Sequence, residues 1–337
     1  MPRLPFRFLL VLTVAITTSL RVHAATELRV GIIGLDTSHV VAFTKLLNDP
    51  SSPDHIAGAR IVAAFRSGSE DMPEKSFNRV APYAAELSTK YGVTLCATVE
   101  ELVAQVDAIM IENVDGRKHL EIARAVFPSG KPVFIDKPYA GTLAQGIEIM
   151  RLARAHQVPC FSASSLRFVA PVQQLTLAQK KDLRTVMTFS PAEFEPHHPD
   201  LFWYGIHGIE MLYQIVGPGC QSVSRTHAPN GDVVTGLWAD GRLGIFFGYR
   251  EAKADYGYKI IGEKGATNAD FKADYIQLVR EIVTFFQTKR APVSLEESVE
   301  VLAFMEAADE SKRRGGALVT ITETMHAAEA SMARAAQ

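Results

Sequence analysis

One lysine occupies the position in the sequence that is best arranged for chemistry. Lys137 follows the apolar run Val133-Phe134-Ile135 and Asp136, and it directly precedes Pro138. Proline disfavours helical backbone in the residue before it, so we expect Lys137 at the point where a strand leaves a sheet. In open α/β sheets ligands bind at that edge. The sequence therefore predicts Lys137 as a catalytic residue.

A second polar group lies in the later half of the chain. The pattern predicts a helix over residues 202–216, on which Tyr204, His207 and Glu210 share one face. One interpretation makes Tyr204 or His207 a proton carrier, with Glu210 orienting the imidazole. The alternative is a polar stripe that lines a cleft between domains.

The same region contains candidate metal ligands. His197, His198 and Asp200 come shortly before His207 and Glu210. Nitrogen and carboxylate oxygen ligands suit zinc or a similar divalent ion. The candidate ligands are His198, His207 and Glu210, and the alternative is that the loop histidines are simply solvated.

The segment after the fourth predicted strand is rich in charge. Asp115, Arg117 and His119 would face the same crevice as Lys137, where charged and bidentate hydrogen bonds discriminate hydroxyl patterns. They are predicted to bind substrate, together with Arg167 and Glu210. The alternative for Asp115 is a cap on the next helix.

The elements that position these residues change character along the chain. Strands alternate with helices up to residue 162, which predicts an α/β Rossmann-like, doubly wound parallel sheet. From about residue 183 short strands follow one another, with Asp240-Gly241 suited to a hairpin, which predicts an α+β domain with a mostly antiparallel sheet. We place the domains at residues 25–158 and 159–337.

The amino terminus predicts export. Residues 1–24 combine a cationic start, a short apolar run and small residues before Ala25, which is the pattern of a secretory signal peptide, with a retained membrane anchor as the alternative. The mature chain would then be periplasmic or extracellular. No later apolar run approaches the roughly 20 residues that a membrane span needs. A formal charge of −2 and a pI near 6.6 exclude a basic surface for nucleic acid.

Several motifs, in their order and spacing, resemble the Gfo/Idh/MocA family of nicotinamide-linked oxidoreductases acting on sugars and polyols. The resemblance implies a Rossmann domain that binds NAD(P), a carboxyl-terminal sheet domain whose face often forms homo-oligomers, and a substrate-contacting or acid–base role for Lys137. The matching pieces are Val30-Gly31-Ile32-Ile33-Gly34 with His39, His119, Gly130-Lys131-Pro132-Val133, Asp136-Lys137-Pro138, Arg167-Phe168 with Pro171, and Ile261-Gly262-Glu263-Lys264-Gly265.

The sequence also departs from the family. Of the three fingerprint glycines only Gly34 remains, while Asp36 and His39 take the other two places. We expect the Asp36 carboxylate to point toward the pyrophosphate site and to cap the helix amino terminus that the phosphate normally uses. Arg66 and Ser67 after the second strand suit the 2′-phosphate of NADP, although loss of the site explains Arg66 equally. The predicted cofactor residues are Gly34, Asp36, Thr37, Ser38, Arg66, Ser67 and Lys137.

Three functions follow. The first is an exported, NAD(P)-linked oxidoreductase on a carbohydrate or polyol, and the family resemblance places it ahead. The second is a sugar lyase, hydrolase or epimerase on the same scaffold that uses no free dinucleotide and could use a divalent metal. It is favoured by Asp36 and by Trp203, which stands where the family has an Asp. The third is a sugar-binding protein without catalysis.

Overall fold

The computed structural model describes residues 27–175, 179 and 181–335. The predicted signal peptide, residues 1–24, lies outside the described residues. None of the helices in the described part is long and apolar enough to cross a membrane.

The first sheet is parallel throughout, as predicted. Its strands in chain order are β1 Leu28–Ile33, β2 Ala59–Phe65, β3 Thr94–Cys96, β4 Ala108–Ile111, β5 Val133–Ile135 and β6 Cys160–Ser162. They lie in the order β3-β2-β1-β4-β5-β6, with the reversal of direction at β1 and β4 that characterises a doubly wound sheet. Every residue of β4 and β5 is buried, because helices cover both faces of the sheet.

Among the described residues, five α-helices accompany this sheet. They are α1 Ser38–Asn48, α2 Asn78–Tyr91, α3 Val99–Gln105, α4 His119–Val126 and α5 Leu143–Ala155, and the short α6 Ala170–Gln173 follows the sheet. Side-chain oxygens of Thr37, Thr98 and Thr142 accept hydrogen bonds from the first turns of α1, α3 and α5, which satisfies backbone groups that lack a helical partner. These local caps explain where the three helices begin.

The second sheet has seven strands. They are β7 Leu183–Pro191, β8 Cys220–Ala228, β9 Gly231–Trp238, β10 Leu243–Tyr249, β11 Tyr256–Gly262, β12 Gly265–Phe271 and β13 Val319–Thr320. Their order is β12-β11-β7-β10-β9-β8-β13, antiparallel except between β7 and β10. The other α-helices in the described part of the chain are α7 Ile206–Val216, α8 Ile276–Thr288, α9 Leu295–Arg313 and α10 Ile321–Ala335. The mostly antiparallel second domain is therefore confirmed.

Two details differ from the sequence predictions. Strand β6 pairs with β5, so the first sheet continues past the boundary predicted at residue 158. Residues 200–202 form a short 3₁₀ turn and α7 begins only at Ile206, so Tyr204 precedes the helix instead of sharing its face with His207.

The two domains are packed together through helices that return to the first. Phe285 of α8 contacts Phe161 of β6 with ring centroids 4.8 Å apart. Helix α9 packs on α5 so closely that a Cβ at Gly146 would lie 2.4 Å from Leu302 Cδ1. This shared core holds the crevice between the domains in one geometry.

Candidate active site

A polar cavity of about 230 Å³ lies between the carboxyl ends of the parallel strands and the second domain. The three residues predicted to be catalytic all line it, although Lys137 follows β5 and the other two belong to the second domain. The Lys137 Nζ atom lies 5.9 Å from the ring centroid of Tyr204, and the rings of Tyr204 and His207 are 5.0 Å apart. Residues distant in sequence thus form one site.

Lys137 is only 7% exposed. Burial lowers the pKa of its ammonium group, while the carboxylates of Asp136 and Glu112 oppose this shift. Its partly desolvated amino group faces the cavity, where it can position a substrate hydroxyl.

His207 is held in a neutral state. Burial lowers the pKa of its imidazole well below the usual value, and the positive charges of Lys137 and His39 add to the effect. The Ser164 hydroxyl lies 2.7 Å from Nδ1 and orients the ring. A neutral imidazole at the cavity wall can accept a proton.

Glu210 does not orient this imidazole, contrary to one interpretation of the sequence. It forms a buried ion pair with Arg167, which also binds Glu297 at 2.5 Å. Neither Arg167 nor Glu210 lines the cavity. The sequence could not separate this arrangement from a substrate site, because the partner Glu297 is 130 positions away from Arg167.

The charged segment after β4 also turns inward. The Asp115 carboxylate is fully buried, accepts a hydrogen bond from Ser69 at 2.5 Å and lies 3.1 Å from His198. It also accepts from the Arg117 backbone, which is the capping alternative, and from the Arg117 side chain. These carboxylate contacts hold the pKa of Asp115 below its ordinary value although burial alone would raise it.

His119 is equally remote from the cavity. It is fully buried, with its ring nitrogens 2.8 Å from the Asn113 carbonyl and 3.3 Å from the Tyr139 carbonyl. Asp115, Arg117 and His119, predicted to bind substrate, thus connect the loops that surround the crevice and do not line it.

The predicted metal ligands are not brought together. His198 lies beside Asp115, His207 beside Ser164, and Glu210 binds Arg167. That metal-site prediction is wrong, because each side chain is held by a different partner on a different element.

The start of α1 forms one wall of the cavity. Thr37 and Ser38 line it, and Thr37 caps the helix by accepting from the His39 backbone at 3.3 Å. Gly34 has φ +93, and a Cβ there would lie 2.4 Å from Asn113 Oδ1, so this glycine of the fingerprint is required.

Asp36 is turned away from the cavity. Its carboxylate is fully buried, accepts from Ser76 Oγ at 2.6 Å and accepts from the Val114 backbone at 3.0 Å. Burial raises the pKa of Asp36 to about 6. The expectation that it faces the pyrophosphate site and caps the helix is therefore wrong.

Two basic residues missed by the sequence analysis line the same wall. Lys75, just before α2, and Arg79, in the first turn of α2, lie at the cavity with Thr37 and Ser38, and Glu193 lines it too. Two cations, two hydroxyls and a helix amino terminus form a donor set that fits a pyrophosphate.

The residues predicted to bind the adenosine end lie elsewhere. Arg66 is exposed, and Ser67 accepts a hydrogen bond from the Asn113 amide at 3.1 Å. Neither residue lines the cavity. The useful sequence signal was the basic pair further along, because the start of α2 and the residues just before it reach the cavity.

A buried charged cluster lies beneath the cavity. His39 Nδ1 is 2.6 Å from Asp136 Oδ2, and ligating atoms of His39, Glu112 and Asp136 all lie within 4.8 Å of one another. Both carboxylate oxygens of Glu112 are buried without a hydrogen-bond partner. Burial and the neighbouring Asp136 and Asp36 raise the pKa of Glu112 well above its usual value.

Residues 28–164 match the model of the Gfo/Idh/MocA family, described as an oxidoreductase family with an NAD-binding Rossmann fold. No curated protein matches the chain.

Solved structures of three bacterial proteins share the overall fold. An oxidoreductase from Thermotoga maritima is 17% identical, covering 88% of this chain and 99% of its own, with a TM-score of 0.69. A myo-inositol dehydrogenase from Lactobacillus casei, in complex with NAD(H) and myo-inositol, is 15% identical over 87% and 96%, with a TM-score of 0.69. A myo-inositol 2-dehydrogenase from Lactobacillus plantarum is 16% identical over 87% and 99%, with a TM-score of 0.68. At such identities the likeness establishes the fold alone.

Proposed function

We propose that this chain, whose Rossmann domain belongs to the NAD-binding Gfo/Idh/MocA oxidoreductase family, uses NAD(P) to interconvert a CH–OH group and a carbonyl on a carbohydrate or cyclic polyol. The observation that carries the proposal is the cavity itself. It places Lys137 and His207 beside the start of α1, where Lys75 and Arg79 add positive charge.

The chain's own groups have separable roles in this reaction. Lys137 donates a hydrogen bond to the reacting hydroxyl and orients it. Neutral His207, held by Ser164, accepts the hydroxyl proton at its free ring nitrogen. When bound, the nicotinamide supplies the hydride acceptor.

The substrate class follows from the lining of the cavity. Side chains that donate and accept hydrogen bonds dominate its wall, as recognition of a hydroxyl-rich ring requires. The dehydrogenase from Lactobacillus casei was solved in complex with myo-inositol, so inositols are the first substrates to test.

A second candidate is a dinucleotide-independent lyase, hydrolase or epimerase of a sugar. It is favoured by His39 and Asp36, which replace two fingerprint glycines. The His39 ring also packs 4.7 Å from Tyr275, next to the helix start that pyrophosphate uses in Rossmann domains.

Nucleotide binding distinguishes the two candidates. We expect calorimetric titration of the purified protein to detect NAD or NADP, and inositols or aldoses to reduce the bound nucleotide. Arg79→Met should weaken binding by about 10–100-fold, the value of a charge-assisted hydrogen bond.

Arg66→Met is the matched control and should leave NAD affinity unchanged. If it weakens NADP but not NAD, then Arg66 reads the 2′-phosphate after all. Failure of the wild type to bind either nucleotide overturns the proposal and favours the second candidate.

Export remains a separate proposal. The pattern of residues 1–24 supports a secreted or periplasmic protein. Sequencing the amino terminus of the protein recovered from the native host should find Ala25 first, whereas an intact Met1 in the cytoplasm would contradict export.

We also propose a homo-oligomer that forms through the outer face of the second sheet. Apolar side chains on four of its strands are 40–48% exposed, a contiguous pattern that monomers rarely leave open. The exposed side chains are those of Met187, Val233, Leu237, Phe247 and Ile261. Light scattering should give at least twice the chain mass.

A further inference from the structure

We propose that His39, Glu112 and Asp136 form a binding site for one first-row divalent cation, such as zinc or manganese, at the floor of the crevice. The site goes beyond the proposed oxidoreductase activity and does not depend on it. It is also distinct from the site predicted around His198 and Glu210.

Three adjacent strands supply the ligands. His39 lies in the first turn of α1 after β1, Glu112 directly follows β4, and Asp136 directly follows β5. Because β1, β4 and β5 are parallel neighbours, their carboxyl ends meet at one edge of the sheet. The three side chains converge there although His39 and Asp136 are 97 positions apart.

The spacing of the atoms suits one ion. Ligating atoms of the three residues lie within 4.8 Å of one another, and zinc holds nitrogen and oxygen ligands at about 2.0–2.2 Å. Binding would draw Glu112 toward the ion and separate His39 from Asp136 to the wider spacing that two ligands of one ion require. The ion would replace the hydrogen bond between His39 Nδ1 and Asp136 Oδ2, which are now 2.6 Å apart.

Glu112 is the observation that points to a ligand. It is fully buried, and both of its carboxylate oxygens lack a hydrogen-bond partner. An unsatisfied buried carboxyl group costs stability, so such groups in folded proteins call for an explanation. Asp136, by contrast, is engaged by His39 and by the Lys137 backbone at 2.8 Å. A cation gives Glu112 the partner that the protein does not.

The composition and location determine which ion fits. One imidazole and two carboxylates suit zinc, manganese or iron, and three protein ligands leave coordination positions open. His39 lines the cavity, so the open positions would face it and take water or a hydroxyl oxygen of the substrate. The ammonium of Lys137 lies in the same wall. It competes with the ion as a source of positive charge for the carboxylates of Glu112 and Asp136.

The test uses metal alone, with no nucleotide or polyol present. The purified protein is stripped with a chelator and titrated calorimetrically with Zn²⁺ and, separately, with Mn²⁺. We expect one ion per chain, together with a rise in Tm because the ion binds only the folded state. Replacement with Co²⁺ should give visible absorption bands that report mixed nitrogen and oxygen ligation.

Two variants locate the ion. Glu112→Gln and His39→Gln should each weaken binding by at least about 100-fold, more than the 10–100-fold that loss of a supporting partner costs. The matched control is His197→Gln, because His197 lies 2.7 Å from Glu195 and 3.8 Å from Asp71 and is the alternative histidine–carboxylate group near the surface. This control should bind the ion like the wild type.

Each outcome is decisive. Loss of binding in His197→Gln but not in Glu112→Gln would assign the ion to the surface group and overturn the proposal. Absence of stoichiometric binding in the wild type would also overturn it and leave Lys137 as the counter-charge. If Glu112→Gln does not fold, the Co²⁺ spectrum of the wild type still decides, since a spectrum identical to that of the ion in buffer contradicts the site.

Discussion

Two groups of buried charged side chains stand in contrast in this molecule. In the second domain, the fully buried guanidinium of Arg225 reaches Asp232 at 2.8 Å, Asp200 at 2.9 Å and Asp309 at 2.5 Å, using a different nitrogen for each. Arg250 further engages Asp232. Each charge has a partner, and the group connects β8 and β9 to α9.

The crevice group is built from similar residues but is incompletely paired. Glu112 has no hydrogen-bond partner, and Lys137 makes no ion pair within 4.0 Å among the described residues. Buried charges that are fully paired hold a fold in one geometry, whereas unpaired ones cost stability and are typical of functional sites. Both groups are buried, so it is the presence or absence of partners that distinguishes structural charged groups from functional ones.

The largest expected effect tests the functional side of this comparison. Lys137→Met should lower kcat/KM for the polyol by about 10²–10⁴-fold, because the reacting hydroxyl loses its orienting group. The Tm should fall only modestly, since the side chain makes no direct ion pair and only its longer-range attraction to Asp136 and Glu112 is lost. A variant that is unfolded, or one that retains full activity, would contradict the assignment of Lys137 to the site.

The structural group should respond in the opposite way. Arg225→Met should lower the free energy of unfolding in urea by about 3–5 kcal/mol, because it leaves buried carboxylates without their cation. Nucleotide affinity of the folded fraction should be unchanged. Arg242→Met is the control: Arg242 forms a partly exposed pair with Asp240, so the loss there should stay below about 1 kcal/mol.

The pH dependence of stability and of rate at His207 tests the functional side of this comparison further. Its native pKa is depressed, so the unfolded chain binds a proton below the ordinary histidine pKa of about 6.5 while the native state does not. Stability should therefore fall as the pH drops below that value, and less steeply in His207→Gln. The variant should also lose about 100-fold in kcat. A wild-type rate that titrates at the ordinary histidine pKa would show that the imidazole is not held neutral.

The smallest effect concerns Glu112. In chelator-treated protein, Glu112→Leu should raise the free energy of unfolding by about 1 kcal/mol, because it removes polar atoms that have no partner. Urea titration at neutral pH measures the change. Destabilisation on the scale of Arg225→Met would mean that Glu112 is as well satisfied as the second-domain group, and the contrast would disappear.

Much of the fold was determined by local features of the sequence. The alternation of strand and helix patterns predicted the parallel sheet, and helices α1, α3 and α5 of that sheet begin at threonine caps. The Asp136-Lys137-Pro138 stretch predicted a strand end, and the doubly wound topology then placed Lys137 at the crevice. These signals act within a few residues, so the sequence alone contains them.

The partners of the polar side chains were decided only by the tertiary structure. Glu210 was expected beside His207 and instead binds Arg167, and Asp36 was expected at the pyrophosphate site and instead binds Ser76, 40 positions away. A carboxylate takes whichever donor the packed elements bring to it, because burying it unpaired is costly. Sequence spacing specifies which face of an element a residue lies on, and only the packing of distant elements specifies what that face meets.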